Sequence, residues 1–205
     1  MQETNMNIAV LILAAGRSSR MGQSKQLLPW KTTTLLGNAI ETALGIKNAD
    51  VFVVLGAHCE IVKAHIRKSN VVCLEHTDWE KGLGSSLAFG MGSIVETKKT
   101  YSAVLILLCD QPLIDTVYLA TMVDTYLHNG KGIVATAYAN RVGVPAIFET
   151  TYFSELMNLS EDKGAKSIIE NHKNDVLAIS PAGKEIDLDT MAEYQNLILK
   201  VPQKK

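Results

Sequence analysis

Paired cysteines are missing from this chain of 205 residues. Cys59, Cys73 and Cys109 are odd in number and widely spaced, with no Cys-x-x-Cys among them. That excludes a zinc ribbon or a thioredoxin-like dithiol and fits a reducing compartment. The five histidines, His58, His65, His76, His128 and His172, show no zinc-ligand spacing, and Gly-x-Ser-x-Gly is absent, so no serine elbow is expected. No apolar run approaches the roughly 20 residues needed to cross a bilayer. No basic segment with a cleavage site precedes the first apolar run, so the expectation is a cytoplasmic protein without a membrane partner. Charge of one sign is also lacking: 20 basic against 21 acidic residues leave a net −1, with no global field for nucleic acid. The lysines between 200 and 205 read as a solvated terminus. No Pro/Gly/Ser-rich linker, repeat or low-complexity tract divides the chain, which therefore reads as one domain over 1–205.

What is present is a regular alternation of apolar runs and amphipathic stretches. Strands are expected over 8–13, 51–55, 71–74, 103–108, 133–137, 145–148 and 176–179. Helices are expected over 34–47, 61–68, 87–96, 116–129, 151–159, 165–171 and 191–200, the last capped by Asp189 or Thr190. Serines 85 and 86 read as caps for the helix from 87, Gly130 closes the helix from 116, and Gly143 and Pro145 read as shaping a turn. Such alternation implies an α/β sandwich with a mostly parallel sheet. Ligands in such sheets gather at the carboxyl ends of strands.

The stretch that follows the first strand, Leu13-Ala14-Ala15-Gly16-Arg17-Ser18-Ser19-Arg20-Met21-Gly22-Gln23-Ser24-Lys25, concentrates small residues and cations. Small residues let backbone N–H groups approach a ligand, and the cations offer counter-charge. It has neither the G-x-G-x-x-G of dinucleotide folds nor the G-K-[S/T] of P-loops. A longer and more cationic loop suits a whole triphosphate; a solvated surface turn is the bland alternative. Cys109-Asp110-Gln111-Pro112 places a carboxylate just past a buried strand, a rigid hard-oxygen ligand suited to Mg²⁺ unless it is only a helix cap. Gly82-Leu83-Gly84-Ser85-Ser86 offers hydroxyls and N–H groups to a base or phosphate, or serves as an ordinary cap. Trp79 reads as a partly buried aromatic that could stack on a ligand.

Leu13-Ala14-Ala15-Gly16-x-Ser18-x-Arg20-Met21-Gly22-x-x-Lys25 resembles the signature of nucleotidyltransferases of the molybdenum-cofactor type. The match continues through Asp110-Gln111-Pro112, the Gly82–Leu87 segment, Gly143-Val144-Pro145, Asp162-Lys163-Gly164-Ala165-Lys166 and Asp187-Leu188-Asp189-Thr190, and thus spans 13 to 194. The resemblance implies a three-layer, Rossmann-like sheet of the nucleotide-diphospho-sugar transferase type, with a nucleotide half over about 7–112 and an acceptor half over about 113–200. It implies that the backbone of Leu13, Ala14, Ala15 and Gly16 contacts base and phosphates, and that Arg17 and Lys25 bind phosphate and act in catalysis with Asp110. Gly82, Ser85 and Ser86 would lie beside the base. Asp110 and Asp189 would bind Mg²⁺, with Asp187 as substitute for the second. Gln111, Gly143, Pro145, Lys163 and Lys166 would face the acceptor. The implied partners are CTP and a phosphorylated pterin, molybdopterin or its molybdenum form, with a molybdoenzyme as client. Relatives that transfer guanylyl groups usually read Ala-Gly-Gly where this chain has Ala14-Ala15-Gly16, which favours cytidine. Two other departures are Met191-Ala192-Glu193 in place of Pro-Glu-Asp, and Lys166 in place of Arg. GTP as donor, a sugar or alditol phosphate as acceptor, and a non-catalytic cofactor-delivery protein are the alternatives.

Overall fold

Ile8, Val10, Ile12 and Ala14 face one side of the first strand, and Ala9, Leu11 and Leu13 face the other; all seven are buried. A strand that is apolar on both faces has to be covered on both. The computed structural model, which describes residues 7–18, 21–66, 70–161 and 163–201, shows how. The first half of the chain forms β1 (Ile8–Ala14), a short hairpin of β2 (Pro29–Trp30) and β3 (Thr33–Thr34), α1 (Leu35–Leu44), β4 (Ala49–Leu55), α2 (Cys59–Ile66), β5 (Val72–Glu75), α3 (Leu83–Val95) and β6 (Ala103–Leu108). The second half forms α4 (Thr116–Asn129), β7 (Ile133–Ala137), β8 (Val142–Glu149), α5 (Phe153–Met157), α6 (Lys166–Asn171), β9 (Val176–Ile179) and α7 (Met191–Lys200).

Seven strands make one sheet in the order β5-β4-β1-β6-β8-β7-β9. Only β8 runs against its neighbours; the other pairings are parallel. One core, with α1, α2 and α4, covers the Ile8 face, and a second, with α3, α5 and α6, covers the Leu11 face. The α/β sandwich with a mostly parallel sheet expected from the alternation is therefore observed, with the three layers that the resemblance implied. Among the described residues, no helix is long and apolar enough to cross a membrane.

A third, smaller cluster joins Met21, Leu28, Trp30, Leu35 and Leu188 to Tyr194 and Leu197 of α7. The Tyr194 hydroxyl donates to the Pro29 carbonyl at 2.6 Å. This cluster fastens the segment after β1 and the segment before α7 to each other. Because β1, β6 and β7 run the same way, their carboxyl ends share one edge of the sheet. That edge carries the 15–18 loop, Asp110 and the 138–141 turn.

Several boundaries differ from the sequence reading. α1 stops at Leu44, before Gly45, and Thr34 caps it by accepting from the Gly37 N–H at 3.0 Å. The helix expected over 61–68 begins at Cys59; residues 67 and 68 lie outside the described residues, as do Ser19, Arg20, Asp162 and the lysines beyond 201. α3 begins at Leu83 rather than 87, with Gly82 at φ 105° as its N-cap and no side-chain cap, so Ser85 and Ser86 lie in its first turn instead of capping it. Gly143 and Pro145 do not shape a turn but lie inside β8. The pairing of β8 with β7 shifts between Ala135 and Thr136, so Val144 and Pro145 fall in an irregularity where a missing N–H costs no ladder bond.

Candidate active site

Three backbone carbonyls in a row are tied back after β1. Gln26, only 2% exposed, donates Nε2 to the carbonyls of Ala14 and Gly16, both at 2.8 Å. The Ala15 carbonyl accepts from the Ala57 N–H at 3.0 Å. Ser24 donates to Gln26 Oε1 at 2.8 Å, so the amide that holds the loop is itself held. Ser18, with φ 56°, accepts from the Lys25 N–H at 3.1 Å and closes the loop onto the lysine. Trans peptide planarity then points the N–H groups of Ala15 and Arg17 away from Gln26.

These residues border a cleft of about 380 Å³. Leu13, Ala14, Ala15, Gly16, Arg17 and Ser18 form one wall; Trp79, Gly82, Leu83 and Ser86 form another; Lys25, Cys109 and Asp110 close it. The glycine at 56 belongs to this construction: a Cβ there would lie 2.6 Å from Trp79 and 2.7 Å from the Ala15 carbonyl.

Lys25 Nζ lies 2.8 Å from Asp110 Oδ2 and 3.5 Å from Asp189 Oδ1. Burial would pull this ammonium down, but the Asp110 charge and hydrogen bond, with Cys109 and Asp189, outweigh it and hold the group above the ordinary lysine value. Asp110 Oδ1 is buried with no hydrogen-bond partner among the described residues. The Leu188 N–H donates to the Asp110 carbonyl at 3.0 Å, which brings 187–189 beside β6. Thr190, not Asp189, caps α7, in a capping box with Glu193. Asp189 is left to face the lysine. Cys109 is buried in the core, where burial pushes its thiol up to about 12.

Asp187 is placed elsewhere. Its Oδ1 accepts from Gln111 Nε2 at 2.8 Å and its Oδ2 from Arg141 Nη2 at 3.1 Å. Burial raises its pKa, helped by the Asp110 and Asp189 charges and opposed by those two bonds. The Gln111 amide also meets the Tyr138 hydroxyl at 2.6 Å.

The serines separate. Ser86 borders the cleft, whereas the Ser85 hydroxyl lies 3.0 Å from His76 Nε2, and that ring stacks on Phe89. The Pro145 carbonyl accepts from Thr136 at 2.7 Å inside the sheet. The Lys163 carbonyl abuts Gly84, whose N–H donates to Glu161, so this turn buttresses the start of α3. Lys166 pairs with Glu170 at 3.4 Å and is not among the residues that border this cleft. Sequence reasoning missed Gln26 and Arg141. Gln26 had no local signal; Arg141 could have been suspected as a cation in a turn after a buried strand.

A cleft at the carboxyl edge of a parallel sheet, with a carbonyl-clamped loop, two cations and converging carboxylates, belongs to a nucleotidyltransferase. The chain belongs to the MobA-like NTP transferase domain family, whose profile matches residues 10–176. Purine catabolism protein PucB of Bacillus subtilis (strain 168) is 29% identical over 199 residues, covering 90% of this chain and 92% of its own. Nicotine blue oxidoreductase of Paenarthrobacter nicotinovorans is 27% identical over 92% of this chain and 95% of its own. Likeness to the molybdenum cofactor cytidylyltransferase of Escherichia coli (strain K12) is confined to 80 residues, at 35% identity, covering 39% of this chain and 42% of that one. The crystal structure of Rv0371c from Mycobacterium tuberculosis H37Rv superposes with a TM-score of 0.79 at 29% identity, over 96% of this chain and all of that one. A manganese complex of Rv0371c superposes with a TM-score of 0.77 at 27% identity, over 96% of this chain and 100% of that one.

Proposed function

We propose that this nucleotidyltransferase transfers CMP from CTP to the phosphate of a pterin acceptor, molybdopterin or the molybdenum cofactor, with Mg²⁺ as its metal. A phosphate oxygen of the acceptor attacks the α-phosphorus of CTP, the bond from that phosphorus to the bridging oxygen breaks, and pyrophosphate leaves. The convergence of Lys25, Asp110 and Asp189 carries the reading. Three groups from distant parts of the chain meet at the end of a cleft whose wall is the 13–18 loop.

The buried Asp110 Oδ1, which no described residue partners, and the neighbouring Asp189 carboxylate supply the hard oxygen donors that Mg²⁺ prefers. When bound, the metal offsets charge on the phosphates and on the pyrophosphate that departs. The remaining work falls to the chain. Lys25 and the exposed Arg17 hold the phosphates and stabilise the leaving group. The N–H groups of Ala15 and Arg17, aimed by the Gln26 clamp, approach the nucleotide. Ser86 and Gly82, which border the cleft with Trp79, would flank the base in this reading. Positioning and charge stabilisation account for catalysis of this kind without a covalent enzyme intermediate.

Cytidine as the base is supported by Ala14-Ala15-Gly16, whose Ala15 is buried at the cleft wall, and by the 80-residue likeness to the Escherichia coli cytidylyltransferase. The test is pyrophosphate release with molybdopterin, Mg²⁺ and each of CTP, GTP, ATP and UTP. CTP should be preferred. A preference for GTP overturns the base, and transfer only to sugar or alditol phosphates overturns the acceptor. Tight cofactor binding without turnover makes the chain a delivery protein, and consumption of NADH or NADPH without pyrophosphate makes it a redox enzyme.

A further inference from the structure

Arg141 stands in the turn between β7 and β8, on the same sheet edge as Asp110. Its guanidinium lies 3.8 Å from the centroid of the Tyr138 ring. Nη2 donates to Asp187 Oδ2 at 3.1 Å, and Asp187 accepts in turn from Gln111, the residue after Asp110. Gly143 provides the space: a Cβ there would meet Arg141 Nη1 at 3.0 Å and Tyr138 Cε2 at 3.4 Å. A planar cation is thus held in one orientation, yet its side chain is 42% exposed. The Asp187 bond engages one terminal nitrogen, and the guanidinium fork keeps donors for a second anion.

Beyond Arg141 lies a groove of about 410 Å³ that Arg141, Lys166 and Lys173 border, with Glu170 as the one acid of its lining among the described residues. Val142 and Ile169 contribute apolar surface to it. The groove therefore offers excess positive charge beside an apolar wall, and the Arg141–Asp187–Gln111 hydrogen bonds tie its rim to the residue after Asp110.

We propose that Arg141 is the anion-reading residue of the acceptor subsite, and that the acceptor is a phosphate monoester whose organic part lies in the groove bordered by Lys166 and Lys173. This rests on the transfer reading above and adds to it the place and charge of the acceptor. A guanidinium matches the phosphate group with parallel hydrogen bonds. Gly143, expected from the sequence to face the acceptor, acts through Arg141 by leaving it room to lie on Tyr138.

Phosphorus NMR line broadening of a hydroxymethylpterin phosphate and of ribose 5-phosphate, titrated into the full chain, tests the site. Calorimetry with CTP and Mn²⁺ reads the nucleotide side separately. Arg141→Met should weaken the pterin phosphate about tenfold or more and leave CTP within about twofold. Gly143→Ala, whose methyl would press on Arg141 Nη1, should weaken the ester in the same direction but less, with CTP binding unchanged. Lys166→Gln combined with Lys173→Gln, both exposed changes, should weaken it by about two- to fivefold. Three results overturn the proposal: no phosphate ester bound by the unaltered chain, unchanged ester binding in Arg141→Met, or equal loss of CTP and ester, which would mark a packing role. Ester binding that depends on Arg141 in a protein that releases no pyrophosphate with any triphosphate keeps the anion subsite and overturns the transfer reading.

Discussion

Leu188 donates its backbone N–H to the carbonyl oxygen of Asp110 at 3.0 Å. This main-chain bond joins the end of β6 to the approach of α7. It puts Asp187 on one side of β6 and Asp189 on the other, so the two carboxylates take different partners. Asp189 faces Lys25, while Asp187 holds Gln111 and Arg141. A main-chain bond is indifferent to side-chain identity, and single substitutions of either aspartate therefore leave the segment in place.

Removing either carboxylate of the Lys25 pair tests the proposed site. Asp110→Ala should lower turnover by about 10²–10³-fold or more, since a group aimed at charge in the transition state contributes on that scale. Asp189→Ala, at a more exposed position, should lower it less. The two act on one cation, so the double variant should fall short of the product of the single effects. Circular dichroism should show the fold intact in all three. A chelator should mimic Asp110→Ala, and Mn²⁺ should restore the rate. Turnover by Asp110→Ala at the unaltered rate removes this residue from the mechanism.

Gln26→Met keeps length and volume but removes the clamp on Ala14 and Gly16. Two backbone carbonyls then lose their donor, at a cost of about 1–3 kcal/mol. The loop loses its fixed direction, so KM for the nucleotide should rise about tenfold while acceptor binding holds. Thermal melting and initial rates measured together separate the two effects. A lower melting temperature with KM unchanged would make Gln26 a packing residue only.

Gly56→Ala tests how Trp79 is seated. The new methyl would be forced against Trp79 and the Ala15 carbonyl, each under 3 Å away. Overpacking of this kind costs about 1–3 kcal/mol. Relief comes most easily by moving the indole into the cleft, so nucleotide binding should weaken, and the tryptophan fluorescence change on adding CTP should shrink. Nucleotide affinity equal to that of the unaltered chain would show that Trp79 does not border the bound ligand.

How much of this could be read from the sequence depended on whether the signal was local. The run 103–108 and the helix 116–129, with Asp115 accepting from the Tyr118 N–H and Gly130 at φ 72°, carry their periodicity and stops within themselves, and the structure places them at those bounds. Asp110 alone was ambiguous, since a carboxylate after a buried strand often only caps a helix; it stood out beside the cationic loop, and the structure sets it against Lys25 of that loop. Gln26 was not: a glutamine in a loop has no pattern, and its burial arises from two carbonyls ten and twelve residues earlier. The start of α3 was misread because glycines at 82 and 84 look like loop. In the structure Gly82 caps the helix, and Gly84 lies in its first turn against the carbonyls of Ser160, Glu161 and Lys163. Pro145 was misread for the same reason, since the irregularity that admits it belongs to the pairing with β7.

Alkaline pH should unfold the chain through its tyrosines. All six, Tyr101, Tyr118, Tyr126, Tyr138, Tyr152 and Tyr194, are shifted upward, chiefly by burial. Four of them, Tyr101, Tyr126, Tyr138 and Tyr152, reach about 12. For Tyr101 and Tyr152 the carboxylates of Asp50 and Asp175, which accept from their hydroxyls, add to the effect of burial. An acid with a raised folded-state pKa keeps its proton longer in the native chain than in the unfolded one. Above about pH 10 the unfolded chain therefore binds fewer protons, and stability falls as pH rises. The stabilisation is complete below pH 10 and is lost between there and about 12. Absorbance at the tyrosinate band should stay low in the native chain at pH 10, where free tyrosine is half ionised, and should rise together with the loss of circular dichroism. Half of the tyrosines ionising at pH 10 in a chain that is still folded would contradict the burial of these hydroxyls.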